Sequence, residues 1–150
     1  MNPLIPPPVV AATVGALMWA VNQTLLSGSF TFAFREPAAL LILTTGLVLM
    51  LAAVAQFITA RTTINPMRPS RASRLITTGV FALSRNPIYL ADLLLLAAFA
   101  VWLGNAFNAA LLVLFVWYIN RYQIVPEERA LSGLFGAEYE AYCARVRRWL

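Results

Sequence analysis

Apolar runs alternate with polar segments along the chain. These runs cover residues 9–26, 38–60, 88–103 and 106–125. The second run has 23 residues, and a helix of that length crosses about 30 Å of hydrocarbon. The first run ends in the polar residues Asn22, Gln23 and Thr24, so it is the weakest span. Because every backbone group inside lipid must be paired internally, the pattern predicts an all-α integral membrane bundle of about four transmembrane helices.

The third and fourth runs form an apolar hairpin. No charged residue occurs from 93 to 120, and Gly104-Asn105 provides a turn near the middle. A chain that enters an apolar phase, turns and returns brings its two flanking segments to the same end. Those segments are 85–89 and 127–142. The lengths of the two runs leave open whether they cross the membrane fully.

The polar connections between the runs differ in character. Residues 1–8 are rich in proline and predicted to be extended, and 27–37 is predicted to be a loop. The basic connection 61–87 is either a tether on lipid headgroups or a segment that packs on a site. Pro126 is predicted to end the fourth helix. Residues 127–150 then form one or two short amphipathic cytoplasmic helices, with weak points at Gly133 and Gly136.

The length is typical of a single domain. We expect two membrane helices within residues 1–60, followed by a connection, the hairpin and a C-terminal helix within 61–150.

Composition supports the membrane assignment and suggests an orientation. Hydrophobic residues make up 61% of the chain and charged residues 11%, whereas soluble domains carry about 25% charged residues. All eleven basic residues are arginine, and ten of them lie in 61–87 or 121–148. The positive-inside rule then places both ends and the basic connection in the cytoplasm of a plasma membrane of bacterial type. Arginines at membrane boundaries favour contact with membrane lipids over nucleic acid.

The residue inventory excludes several kinds of chemistry. The chain contains no histidine, which excludes histidine acid–base catalysis and argues against a zinc or haem site. Its one cysteine, Cys143, excludes an intrachain disulfide and would lack a histidine partner as a nucleophile. We therefore predict no metal site.

Three polar features carry alternative interpretations. The segment 85–89 can be a helix start capped by Asn86 with an interfacial anchor, or a site at a helix N-terminus. Glu127 and Glu128 can be favourably placed first-turn acids, or carboxylates that bind a cation or a polar group. Asp92, one turn inside the third run, can pair with Arg85 or Arg121 or can be functional.

Taken in order, these segments resemble the isoprenylcysteine carboxyl methyltransferase family and the related membrane phospholipid methyltransferases. The family pattern is Leu-Val-Thr-x-Gly-x-Tyr, then Arg-His-Pro-x-Tyr, an apolar hairpin, Glu-Glu, and Phe-Gly-x-Glu-Tyr with a further Tyr. Its counterparts here are Leu75 to Phe81, Arg85 to Tyr89, Glu127-Glu128, Phe135 to Tyr139, and Tyr142. The order and spacing of the pieces carry the resemblance, which spans about residues 62–148.

The resemblance implies a methyltransferase that uses S-adenosyl-L-methionine in a cytoplasmic pocket and methylates a lipophilic acceptor from the bilayer. It implies that Arg121 faces the acceptor. Glu128, or Asp92, is a candidate proton acceptor if the acceptor is an amine. The cofactor contacts implied are Leu75, Ile76, Phe81, Asn86, Pro87, Ile88, Tyr89 and Glu127.

The sequence departs from this pattern in ways that bear on the acceptor. Asn86 replaces the usual histidine, Phe81 lacks the tyrosine hydroxyl, and Arg147 stands where proline often follows valine. Transfer to a carboxylate or thiolate needs no general base, so the missing histidine does not prevent it. The acceptor could be an isoprenylcysteine-like carboxylate, a lipid or a small hydrophobic molecule. The alternative is a small non-catalytic membrane protein, such as a transporter subunit or scaffold.

Overall fold

A computed structural model describes residues 5–60 and 74–150, and the regular structure within those ranges is helical. Short 3-10 turns cover Leu26–Gly28 and Gly79–Ala82, and a π-helical segment covers Asn120–Ile124. The α-helices are α1 (Pro7–Thr24), α2 (Arg35–Ala60), α3 (Pro87–Leu103), α4 (Asn108–Ile119), α5 (Val125–Phe135) and α6 (Ala137–Arg145). The predicted all-α class is confirmed.

Length and surface fit a membrane bundle. Helix α2, with 26 residues, and the continuous helix Asn108–Phe135, with 28, are each long and apolar enough to cross a membrane, and α3 is a shorter apolar helix. Large apolar side chains on α2 point away from the protein, with Leu41 68% and Leu51 69% exposed. Side chains of this kind suit lipid as a solvent.

Small residues allow α2 to pack closely along α3. Ala39, Gly46 and Ala53 recur every seven residues on α2 and are buried. A Cβ atom added at Gly46 would lie 3.1 Å from Leu94 Cβ and 3.3 Å from the carbonyl oxygen of Ala91. Small-residue seams of this type let membrane helices approach each other without a hydrophobic driving force.

Helix α1 packs on α3 and α4 and completes the core. Its buried residues Val10, Val14 and Met18 meet Phe115 and Ile119 of α4 in one apolar cluster. The cluster extends to Tyr89 and Ile124, so it reaches the end of the bundle where the two polar segments meet.

The hairpin turn is held by the loop between α1 and α2; we call this end of the bundle the tip end. Gly104 ends α3 in the left-handed conformation, with φ 65°. The Asn105 side chain donates to the carbonyl oxygen of Leu25 over 2.9 Å. The N–H of Phe30 donates to the carbonyl oxygen of Gly104 over 2.7 Å. The predicted turn is thus present, and hydrogen bonds fix it to the loop between α1 and α2.

Two helices begin earlier than predicted. Helix α1 starts at Pro7, within the segment expected to be extended, and α2 starts at Arg35, within the expected loop. In α1, proline occupies the first helical positions, where its missing N–H has no intrahelical partner to lose. Residues 1–4 and 61–73, which include most of the predicted basic tether, lie outside the described residues.

The predicted break at Pro126 is wrong. Backbone dihedrals stay helical through Asn120 and Val125, and the helix continues to Phe135. The N–H of Val125 bonds to the carbonyl oxygen of Asn120, five residues back. This wider π turn relieves the contact that a proline ring otherwise makes with the preceding turn. The break falls instead at Gly136, with φ 49°, between α5 and α6.

Candidate functional site

The two polar segments that flank the hairpin meet at the end opposite the tip, which we call the site end. Tyr89, in the first turn of α3, donates its hydroxyl to Glu127 Oε2 in the first turn of α5 over 3.1 Å. Tyr89 is 5% exposed. The two residues are 38 positions apart, and the hairpin brings them together because α3 and the helix from Asn108 run in opposite directions.

A cavity of 170 Å³ lies beside this hydrogen bond. Its walls come from α1, α2, the segment before α3, α3 itself and α5. They are mostly apolar, with the Glu127 carboxylate and the Arg85 guanidinium among the polar groups. The lining residues are Pro7, Pro8, Phe57, Phe81, Arg85, Asn86, Pro87, Ile88, Tyr89 and Glu127. Six of the ten site residues implied by the resemblance are therefore brought together here.

Glu128 is the centre of a double ion pair. Its Oε1 lies 3.1 Å from Arg85 Nη2, and its Oε2 lies 2.7 Å from Arg148 Nη2. The Nε of Arg148 also donates to Oε1 over 3.0 Å, which makes that pair bidentate. The hydrogen bonds that Arg148 donates to Glu128 raise the pKa of Arg148 above its ordinary value. Both carboxylate oxygens are occupied by guanidinium donors, so this geometry favours a structural role for Glu128.

The segment after α6 folds back onto the residues that precede α3. The Asn86 side-chain amide donates to the carbonyl oxygen of Arg148 over 3.0 Å. The N–H of Arg85 donates to the carbonyl oxygen of Arg147 over 3.0 Å. Asn86 does occupy the N-cap position of α3, but its side chain makes no capping hydrogen bond. The capping interpretation of this side chain is therefore wrong: a cap requires the side-chain oxygen to accept an N–H of the first turn, and here the side chain instead donates its NH2 group to the carbonyl of Arg148.

A tyrosine cluster secures α6 to the same region. The Tyr142 hydroxyl donates to the carbonyl oxygen of Phe81 over 2.6 Å. Burial raises the pKa of Tyr142 to about 12, so it remains a donor at neutral pH. Arg85 Nη1 contacts Cys143 Sγ. Both contacts stabilise the walls of the cavity from outside.

Four residues singled out from the sequence lie elsewhere. Leu75 packs against Tyr139, Tyr142 and Val146, and is not among the residues that line the cavity. Ile76 is half-buried in the connection before α3 and Arg121 is exposed in the π-helical segment, and neither lines the cavity. Asp92 forms no ion pair with Arg85 or Arg121 in the part of the chain that the structure describes.

Sequence reasoning missed other residues at this end. Phe57 of α2 and the prolines of α1 line the cavity, and Arg148 completes the ion pair. Prolines just before an apolar run and a phenylalanine within one give no local signal of this placement. Arg148 carried a positional signal, since it lies in the basic segment that follows the motif residues.

Comparison with known proteins identifies the family. The phospholipid methyltransferase model matches residues 34–138, which contain the hairpin, Tyr89 and Glu127. The chain belongs to the phospholipid methyltransferase family. The resemblance noted in the sequence is thereby confirmed.

Individual relatives agree with this assignment. A protein-S-isoprenylcysteine O-methyltransferase of Schizosaccharomyces pombe is 28% identical over 118 residues, which are 79% of this chain and 50% of the relative. A probable protein-S-isoprenylcysteine O-methyltransferase of Oryza sativa subsp. indica is 35% identical over 77 residues, 51% of this chain and 40% of the relative. An uncharacterized Haemophilus influenzae protein is 44% identical over 63 residues, 42% of this chain and the whole of the relative.

The chain thus spans half or less of the length of these two methyltransferases. No solved structure matches it.

Proposed function

We propose that this protein is an integral membrane methyltransferase that binds S-adenosylmethionine at the site end and methylates a lipophilic acceptor. The observation that carries the proposal is the hydrogen bond between Tyr89 and Glu127 beside the cavity. It joins segments 85–89 and 127–142, which carry two pieces of the family pattern, at one place. Family membership and the names of the relatives support the reaction class.

The residues around the cavity fit the reactive end of this cofactor. When bound, the cofactor supplies a methyl group on a sulfonium cation. Glu127 is the acidic residue beside the apolar walls, and a bound cation would favour the ionised form of its carboxyl group, so the site suits a cation with apolar substituents. Asn86, Pro87, Ile88, Tyr89 and Glu127 would hold it, with Phe81 against it. A cavity of 170 Å³ is smaller than the roughly 300–1,000 Å³ of whole-ligand pockets, so we assign it to the reacting groups, the methionine end of the cofactor and the methyl-accepting end of the acceptor, rather than to either whole molecule.

The chain contributes alignment and exclusion of water. Tyr89 fixes the Glu127 carboxylate by donating to it, so the carboxylate does not need to reorganise when a cation arrives. Phe57, Phe81 and Pro7 provide apolar walls that keep water from the reacting atoms. Methyl transfer is a displacement in which positioning supplies much of the acceleration.

The acceptor class determines which further residues take part. A carboxylate or thiolate needs no base, and the exposed Arg121 could hold a carboxylate bidentately at the membrane boundary. An amine would need a proton acceptor. Glu128 is engaged by two arginines, which leaves Asp92 as the better candidate. A screen of isoprenylcysteine, phospholipid and small hydrophobic acceptors with radiolabelled methyl donor distinguishes these cases.

Calorimetry of the purified protein with S-adenosylhomocysteine tests cofactor binding. We expect Glu127→Ala and Tyr89→Ala to weaken binding by about tenfold or more, since each removes a polar group from the cavity. Glu36→Gln is the matched control, because this exposed carboxylate lies in the first turn of α2. No binding by the wild type at millimolar ligand would favour the non-catalytic alternative. Normal binding by both variants would show that the cofactor lies elsewhere.

A further inference from the structure

The π-helical segment carries a buried amide that the proposed reaction does not use. Gln123 is 2% exposed and lies one turn before Glu127 along the same continuous helix. Burying an amide side chain is unfavourable unless it forms hydrogen bonds. A π turn is itself costly and recurs at functional sites in proteins. Both features point to a role for this position beyond packing.

The Gln123 amide bonds to a distant part of the chain. Its Nε2 donates to the carbonyl oxygen of Ile5 over 2.7 Å, across 118 positions. Three prolines follow Ile5 directly, and the carbonyl of Pro6 accepts the N–H groups of Val9 and Val10. Proline fixes the backbone angle φ, so this segment is stiff. Anchoring Ile5 therefore fixes the positions of the residues that follow it.

Those following residues line the cavity. Pro7 and Pro8 belong to the same lining as Tyr89 and Glu127. We propose that Gln123 is a positioning residue that holds Pro7 and Pro8 in place as an apolar wall of the site. The proposal rests on the proposed function, because the wall matters for catalysis only if methyl transfer takes place in this cavity.

The wall is apolar and carries no group suited to the charged end of the cofactor. We therefore assign it to the acceptor. Loosening it should weaken acceptor binding while Tyr89 and Glu127, which contact the cofactor in the proposed function, stay in place. Loss of the Gln123 amide should therefore affect only one of the two substrates. It should raise the KM for the acceptor and leave cofactor affinity unchanged.

A competing account is that α1 alone positions the prolines. Val10, Val14 and Met18 are buried against α3 and α4 and could hold the start of the helix without the amide. Under that account, removing the Gln123 donor changes nothing at Pro7 and Pro8. The two accounts predict different behaviour of the backbone amides next to the prolines.

Hydrogen exchange of the protein in detergent separates the accounts without any activity measurement. In Gln123→Met, which keeps the length but lacks the donor, we expect the amides of Val9 and Val10 to exchange about fivefold faster. Asn108→Leu is the control, because it removes a fully buried amide from the start of α4. Unchanged exchange in Gln123→Met would overturn the proposal. If that variant does not fold, Gln123→Asn, whose donor is one carbon shorter, should show the same faster exchange.

Kinetics supply the functional measurement. With an acceptor identified by the radiolabel screen, Gln123→Met should raise its KM about fivefold while S-adenosylhomocysteine binds as in the wild type. An equal loss of cofactor affinity would contradict the assignment of the Pro7 and Pro8 wall to the acceptor. If the wild type binds no S-adenosylhomocysteine, the proposed function fails. The exchange result would still decide whether Gln123 anchors the segment.

Discussion

Neighbouring carboxylates in this protein have different surroundings. Glu127 accepts the Tyr89 hydroxyl and lines the cavity, whereas Glu128 accepts two guanidinium groups. Successive residues of a helix point about 100° apart, because 3.6 residues complete one turn. The same residue type at adjacent positions therefore lines the cavity at one position and holds ion pairs at the next.

Removal of the Glu128 charge should lower stability. We expect Glu128→Gln to reduce the free energy of unfolding by about 1–2 kcal/mol, since Arg85 and Arg148 both lose an ionic partner while remaining partly buried. The midpoint of thermal unfolding in detergent measures this loss. Glu127→Gln is the matched control and should change the midpoint little. Equal effects of the two substitutions would contradict the separate roles.

At the scale of elements, glycine determines where the helices turn. Gly104 has φ 65°, and an added Cβ would lie 2.6 Å from the Phe30 carbonyl oxygen and 2.7 Å from Arg35 Nη1. Gly133 lies inside α5 with no atom within 4 Å of an added Cβ. One glycine is required by backbone conformation and close contact, and the other is not.

These two glycines give opposite predictions. We expect Gly104→Ala to destabilise the protein by about 1–3 kcal/mol through backbone strain and crowding. Gly133→Ala should stabilise it by up to about 1 kcal/mol, because alanine favours the helix. Chemical denaturation in detergent compares the pair. A stable Gly104→Ala variant would show that the tip contact does not limit stability.

The π-helical segment shows why element boundaries were hard to predict. Pro126 is a helix breaker in most settings, and the sequence gives no sign that Val125 bonds five residues back to Asn120. That wider turn forms where the side chains of Gln123 and Asn120 have partners outside the helix. Trp149 Nε1 donates to Asn120 Oδ1 over 3.2 Å, and Gln123 donates to Ile5. Long-range contacts thus favour a local geometry that helix propensity disfavours.

At the scale of the whole molecule, the arginines are distributed unequally between the site end and the tip end. Arg85 and Arg148 lie at the site end, and Arg35 lies at the tip end beside Gly104. Together with the arginine count, this arrangement predicts that the site end faces the cytoplasm.

Reporter fusions test that orientation. A fluorescent protein attached after Leu150 should be fluorescent, and alkaline phosphatase inserted at the hairpin turn should be active, because the first reporter works in the cytoplasm and the second outside it. Moving arginine to the tip end is a useful control, since the positive-inside rule predicts mixed orientation. An active phosphatase after Leu150 would contradict the predicted orientation.

Much of the architecture follows from local pattern alone. The apolar runs, the turn at Gly104 and the break at Gly136 each depend on nearby residues, so the all-α bundle and the meeting of segments 85–89 and 127–142 could be derived from the sequence. The family was recognisable for the same reason, because its motifs are ordered along the chain.

Only the tertiary structure decided which other residues join Tyr89 and Glu127 at the site end. The packing of α1 and α2 brings Pro7, Pro8 and Phe57 to the cavity, and the fold-back after α6 gives Glu128 and Asn86 their partners. A hydrogen bond or ion pair forms between whichever groups the completed fold brings within about 3 Å. Those distances depend on all helices at once, and no local pattern encodes them.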